Sequence, residues 1–124
     1  MSLKYYECEK CGNLVEAIIE SGMSMTCCDQ VMTELIPCTS DGATEKHVPV
    51  VTVDGNTVKV CVGEVEHPML DNHYIEWISI ETKLGSQRKK LKPGCKPEAE
   101  FLLTDGDEFI AAYEFCNIHG LWKK

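Results

Sequence analysis

Long apolar runs are missing from this sequence, and nothing in it approaches the ~20 consecutive apolar residues that a membrane-crossing helix needs. Residues 1–10 are polar and acidic with no leader-like apolar core, so a cytoplasmic location and no membrane partner are expected. Basic charge is also short: 12 Lys and Arg face 20 Asp and Glu, for a formal net charge of −8. No basic stripe is available to neutralise phosphates, which argues against a nucleic-acid partner. A sustained 3.6-residue apolar period is absent, so helices are not expected to dominate. Histidine is scarce, with only His47, His67, His73 and His119.

Cysteine, by contrast, is abundant. Eight in a chain of 124 residues, in a compartment expected to be reducing, read as metal ligands before disulfides. Residues 1–36 contain Cys8-Glu9-Lys10-Cys11, then fifteen residues, then Cys27-Cys28. A piece this short buries too little apolar surface to fold unaided, and four thiolates around one ion supply the missing staple. Cys-x-x-Cys brings two sulfurs together from one tight turn. The adjacent second pair is unusual for a zinc ribbon and implies some distortion of the tetrahedron. Tetrahedral sulfur takes zinc or iron, and spacing alone leaves the two open.

The rest of the chain has a β pattern. A short strand is expected over residues 14–19, with a turn at Ser21-Gly22. Residues 37–46 are rich in turn formers and form a linker. Residues 48–53 are β-branched, Asp54-Gly55-Asn56 is a hairpin turn, and Val58, Val60 and Val62 then alternate with Thr57, Lys59 and Cys61. Residues 75–84 form a long strand whose apolar phase changes between Trp77 and Ile78, implying a bulge or burial on both faces. Residues 100–104 and 108–115 are two further strands around Asp105-Gly106-Asp107. Short strands with turn signals between them predict an antiparallel sandwich, and the length of residues 47–124 suits seven strands in an immunoglobulin-like topology. Arg88, Lys89, Lys90 and Lys92 read as a solvated loop, and Lys123 and Lys124 as a solvated tail.

The four histidines all lie beyond residue 46, at strand ends and in loops, where a rigid sandwich presents ligands. With Cys116 they offer four imidazoles and one thiolate. Five ligands are too many for a closed tetrahedral zinc site and suit a tetragonal redox metal with one face open.

At these residues the sequence resembles the two-iron superoxide reductases called desulfoferrodoxins. The motifs that carry the resemblance are Glu45-Lys46-His47-Val48-Pro49, His67-Pro68-Met69, His73-Tyr74-Ile75-Glu76-Trp77 and Cys116-Asn117-Ile118-His119-Gly120-Leu121-Trp122. Residues 1–36 resemble desulforedoxin, which implies an FeS4 centre on Cys8, Cys11, Cys27 and Cys28. Residues 47–124 resemble the neelaredoxin-type catalytic domain, which implies iron held by His47, His67, His73 and His119 in a plane with Cys116 on the axis. Glu45 is implied as the carboxylate that closes the open position and Lys46 as the cation beside it. The activity implied is reduction of superoxide to hydrogen peroxide, a detoxification, with a rubredoxin-like electron donor and a homodimer of desulforedoxin-like units.

Plainer readings attach to other residues. Cys61 reads as a small buried hydrophobe, Cys95 as exposed, and Trp77 as core; Cys38 lies in the linker without a role, and Trp122 is placed to shield the imidazoles. Two other function classes fit parts of the pattern. A blue-copper carrier needs two histidines, a cysteine and usually an axial methionine, but no methionine follows Cys116 and two histidines are left over. A zinc-stabilised binding module would leave the histidines without a joint role.

Overall fold

The computed structural model describes residues 2–41 and 47–124. Glu45 and Lys46 lie outside the described residues. The chain divides into two compact units, Met1–Ile36 and Pro37–Lys124. Among the described residues no helix is long and apolar enough to cross a membrane.

The first unit is built from five short strands: β1 (Tyr5–Glu7), β2 (Leu14–Glu16), β3 (Thr26–Cys27), β4 (Gln30–Val31) and β5 (Thr33–Glu34). One antiparallel sheet has the order β2-β1-β5, and β3 and β4 form a separate hairpin. The strand expected over residues 14–19 stops at Glu16, and Ile18 and Ile19 are exposed. Of the unit's apolar side chains only Tyr5, Cys8 and Met32 are buried among the described residues. So small a core leaves stability to the cysteine cluster.

Among the described residues the second unit has seven strands: β6 (Pro49–Asp54), β7 (Thr57–Val62), β8 (Ile75–Thr82), β9 (Gly85–Lys90), β10 (Glu98–Leu102), β11 (Phe109–Cys116) and β12 (Gly120–Lys123). They form two antiparallel sheets, β10-β7-β6 and β12-β11-β8-β9. Their inner faces meet in a core of Val58, Val60, Val62, Ile75, Ile78, Ile80, Ala99, Phe101, Leu103, Ala112 and Cys116. The valine alternation on β7 falls on that face, as period two requires. The β6–β7 hairpin turns on Gly55 and Asn56; Gly55 has φ +58 and Asn56 a negative φ, which is the signature of a II′ turn with glycine first.

Strand β8 is buried on both faces and bulged as well. Phe115 pairs with Trp77 and Cys116 with Ile75, leaving Glu76 as the extra residue. Two sequence expectations are corrected. Arg88, Lys89 and Lys90, read with Lys92 as a solvated loop, lie on edge strand β9: their charges mask the strand pattern because charged side chains are how an open sheet edge is protected. Lys123, read with Lys124 as a solvated tail, ends strand β12, which pairs with β11 from Tyr113↔Lys123 to Cys116↔Gly120. Within the segment read as a linker, Cys38 bridges Trp122: its N–H donates to the Leu121 carbonyl (3.0 Å), and its own carbonyl accepts the Lys123 N–H (2.9 Å). Cys61 is only half-buried, on the face of β7 away from the core, and its thiol donates to Glu98 Oε2 at 3.6 Å. Burial, then that carboxylate, push the Cys61 thiol pKa up.

Candidate metal centres

In the first unit a knuckle follows β1: Cys8 N–H donates to the Asn13 carbonyl and Gly12 N–H to the Cys8 carbonyl, both at 2.8 Å, with Gly12 at φ +80. Cys27 ends β3, and Cys28 and Asp29 form the two-residue turn to β4, with φ +54 and +60. Two successive positive φ values make this a type I′ turn. The left-handed conformation, costing a non-glycine residue about 1–3 kcal/mol, is how two adjacent cysteines serve one shell. The ligand atoms of Cys8, Cys11, Cys27 and Cys28 all lie within 4.8 Å of one another. Cys27 Sγ is 3.6 Å from Cys11 Sγ and 4.0 Å from Cys28 Sγ. A tetrahedron with metal–sulfur bonds of ~2.3 Å has edges of about 3.8 Å, so these sulfurs fit one ion. Hydrogen bonds from the Cys11 backbone, ahead of Lys10's, draw the Cys8 thiol down to about 7. Cys28 is pushed up to about 12 by its hydrogen bond with Cys11, then with Cys8 and Cys27. Four thiolates at these separations need a cation among them.

In the second unit His47, His67, His73, Cys116 and His119 bring one ligand atom each to within 4.8 Å of the others. The four rings close a cycle: centroids are 4.6 Å apart for His47 and His67, 4.8 Å for His67 and His73, 5.2 Å for His73 and His119, and 4.9 Å for His119 and His47. Neighbouring rings are steeply inclined, by 62° to 85°. His67 and His119 are opposite members of this cycle, and Cys116 Sγ is 3.8 Å from His67 Nε2 and from His119 Nδ1. The sulfur is thus midway between these opposite members, and within 4.8 Å of the ligand atoms of His47 and His73 as well. The 3.0 Å between His47 Nε2 and His67 Nε2 matches two ligands at ~2.1 Å held at a right angle on one ion. His67 Nδ1–H donates to the Pro68 carbonyl at 2.7 Å, which leaves Nε2 with its lone pair toward the shell.

Each ligand is held by short-range structure. His47 lies two residues before β6, not at the strand start, and its N–H and that of Val48 both donate to Asp41 Oδ1. His73 also lies two residues before its strand, in a tight turn bridged to Leu70. Met69 Sδ accepts the Ile75 N–H at 3.4 Å and fixes that turn to β8. Cys116 ends β11, and His119 sits in the β11–β12 hairpin. Asn117 ties this hairpin to the His73 turn, donating to the Asn72 carbonyl and accepting the Tyr74 N–H. Trp122 stacks on His47 with centroids 4.6 Å apart and planes 14° apart, and its Nε1–H donates to the His119 carbonyl. His47, His67 and Cys116 are buried, His73 is half-buried and His119 is exposed, so the cycle is covered on the His47–His67 side and reaches the surface at His119. Trp77 stacks on Phe115 and has no place in the shell.

The structure brings together all the predicted histidine and cysteine ligands, while Glu45, read as the closing carboxylate, lies outside the described residues; sequence reasoning missed two supports, Asp41 and Asn117, and the buried Glu114. Glu114, two residues before Cys116, is fully buried, and among the described residues neither carboxyl oxygen has a hydrogen-bond partner. Burial, then the charge of Asp41, push its pKa up to about 9.

Both donor sets fit iron, giving two iron sites per chain: four sulfurs in one, and four imidazoles with a central thiolate in the other. Four histidines brought to one shell favour a joint role over a binding module with unrelated histidines. Comparisons with known proteins agree. Residues 39–124 match the desulfoferrodoxin family. The desulfoferrodoxin of Nitratidesulfovibrio vulgaris is 47% identical over 118 residues, covering 95% of this chain and 92% of that protein. The desulfoferrodoxin homolog of Archaeoglobus fulgidus is 44% identical over 121 residues, covering 98% and 95%. The crystal structure of the superoxide reductase from Treponema pallidum superposes with a TM-score of 0.86 at 38% identity, over 99% of this chain and 98% of that one. On its sequence, its fold and both donor sets, the chain belongs to the desulfoferrodoxin family.

Proposed function

We propose that this protein is a superoxide reductase, converting superoxide and two protons to hydrogen peroxide with one electron per turnover. The observation that carries the reading is the closed cycle of four imidazoles with the Cys116 sulfur equidistant from two opposite members. Iron bound there supplies the electron to superoxide. His47, His67, His73 and His119 are neutral donors and Cys116 brings one negative charge, so a divalent ion leaves a charge of roughly +1 to attract the anion. The overall −8 does not cancel that attraction, because screening over ~8–10 Å blunts distant carboxylates. His47, His67 and Trp122 cover one side of the cycle against water, and the face opposite Cys116 is the one left for a diatomic anion.

The candidate catalytic residues are Glu45 and Lys46, next to His47: Lys46 as the cation that draws superoxide in, Glu45 as the carboxylate that closes the site after turnover. The centre on Cys8, Cys11, Cys27 and Cys28 has no ligand position to spare and serves electron transfer or structure. Residues 1–36, 37–46 and 47–124 are taken as FeS4 domain, linker and catalytic domain. A rubredoxin-like donor restores the electron in the cytoplasm. A homodimer through the first unit is supported by its exposed Ile18, Ile19, Met23 and Val31, an apolar patch that a second copy would cover.

The test is iron per chain and the visible spectrum before and after a superoxide pulse. Two irons, with a band that appears as superoxide is consumed, are expected. One iron with only the sulfur-site spectrum would end the catalytic reading. Lys46→Ala should slow superoxide capture and flatten its dependence on ionic strength; an unchanged rate would remove Lys46 from that role.

A further inference from the structure

Half of the twelve cations fall within residues 83–97, which contain no carboxylate: Lys83, Arg88, Lys89, Lys90, Lys92 and Lys96. This stretch carries +6 and the remainder of the chain −14. All six residues are exposed. Three lie on β9, which pairs only with β8 among the described strands and leaves its other edge open. Edge protection explains charges on β9. It does not explain why the run of cations continues through Lys92 and Lys96, in the turn beyond the strand.

That turn is joined to the histidine site. Leu91 N–H donates to the Glu76 carbonyl and Gly94 N–H to the Met69 carbonyl, both at 2.9 Å. Met69 is separated from His67 by one residue, Pro68. From the exposed turn to His67, therefore, the path is covalent except for one short hydrogen bond, the kind of contact through which electrons tunnel well.

We infer that β9 and the turn at residues 92–96 form the docking face for the electron donor, and that this donor is a small acidic redox protein. The inference rests on the proposed function, which consumes one electron per turnover. An acidic carrier is repelled by the −14 remainder and attracted by one face, so its encounter is steered to the side of the sandwich that reaches His67. Nucleic acid fits this face less well: the stretch has no aromatic side chain on which bases could stack, and the surrounding charge opposes a polyanion.

The experiment is carbodiimide cross-linking of the iron-loaded full chain to an acidic rubredoxin at low ionic strength, with linked peptides mapped by mass spectrometry. Alongside it, Kd is titrated for wild type and for the K90E/K92E/K96E variant. Cross-links at Lys90, Lys92 and Lys96 are expected. The charge reversal should weaken binding about tenfold or more and flatten its salt dependence. Cytochrome c, a basic carrier, should not compete, and the pre-reduced variant should still be oxidised by superoxide at the wild-type rate. Cross-links to Lys123 and Lys124 instead, an unchanged Kd, or products linking the chain to itself would each overturn the docking face alone. A wild-type protein that superoxide fails to oxidise would overturn the proposed function, and with it the need for a donor.

Discussion

Removing the side chain of Asn117 should loosen the histidine-site iron without touching the sulfur site. Asn117 accepts the Tyr74 N–H at 2.9 Å and donates to the Asn72 carbonyl at 3.1 Å; its backbone N–H, bonded to the Tyr74 carbonyl at 3.2 Å, is unaffected by substitution. A hydrogen bond contributes about 0.5–1.5 kcal/mol net, and these two are exposed, so Asn117→Ala should cost about 1–2 kcal/mol. That shifts the balance between the closed and the locally opened loop by about 5–30-fold. One loop carries His73 and the other Cys116 and His119, so opening removes ligands from the shell. Where opening precedes metal loss, a ferrous chelator should extract iron about 5–30 times faster from the variant. Asn117→Asp keeps the acceptor for Tyr74 and loses the donor to Asn72, so it should fall in between. The visible band of the sulfur site is the internal control and should decay at the wild-type rate. Extraction at the wild-type rate from Asn117→Ala, or equal acceleration at both centres, would refute the reasoning.

Cys11→Ser should leave one iron per chain: the first unit, with so little buried apolar surface, should become protease-sensitive while residues 37–124 survive as an intact fragment. Retention of both irons, checked by metal analysis, would contradict the ligand set. In the iron-loaded wild type, iodoacetamide near pH 8 should label the exposed Cys38 and Cys95 first, and Cys61 should follow only as pH rises, because its raised pKa delays the reactive thiolate. Glu98→Gln should move Cys61 labelling to lower pH, and mass spectrometry of timed aliquots checks the order.

What the sequence revealed was mostly what is periodic or rare. Val58, Val60 and Val62 announce their buried face by alternation, and four histidines with Cys116 announce a shell by their count. Strand β9 stayed hidden because its residues answer to an open sheet edge and not to a core. Strand β12 stayed hidden because Gly120 and Lys123 look like a loop and a tail until their pairing with β11 is known. Asn117 and Asp41 were invisible for a different reason. Asn117 acts on Tyr74, 43 residues away, and Asp41 on the backbone of His47 and Val48, six and seven residues on. Polar side chains that brace a site through backbone contacts leave no periodic trace. The adjacent cysteine pair was legible as a ligand pair, but the left-handed turn that lets Cys28 share a shell with Cys27 was not.

The two sites also differ in how much of the chain must exist before they do. The four sulfurs come from residues 8–28, in two tight turns, so that cluster can capture an ion as soon as a few dozen residues have left the ribosome. The histidine cycle draws its members from residues 47–119 and closes only when the last hairpin has paired with β8. Loading is therefore ordered in time, and contacts so distant along the chain form late. The sulfur site needs only a short stretch of chain to exist, whereas the histidine site needs the finished fold.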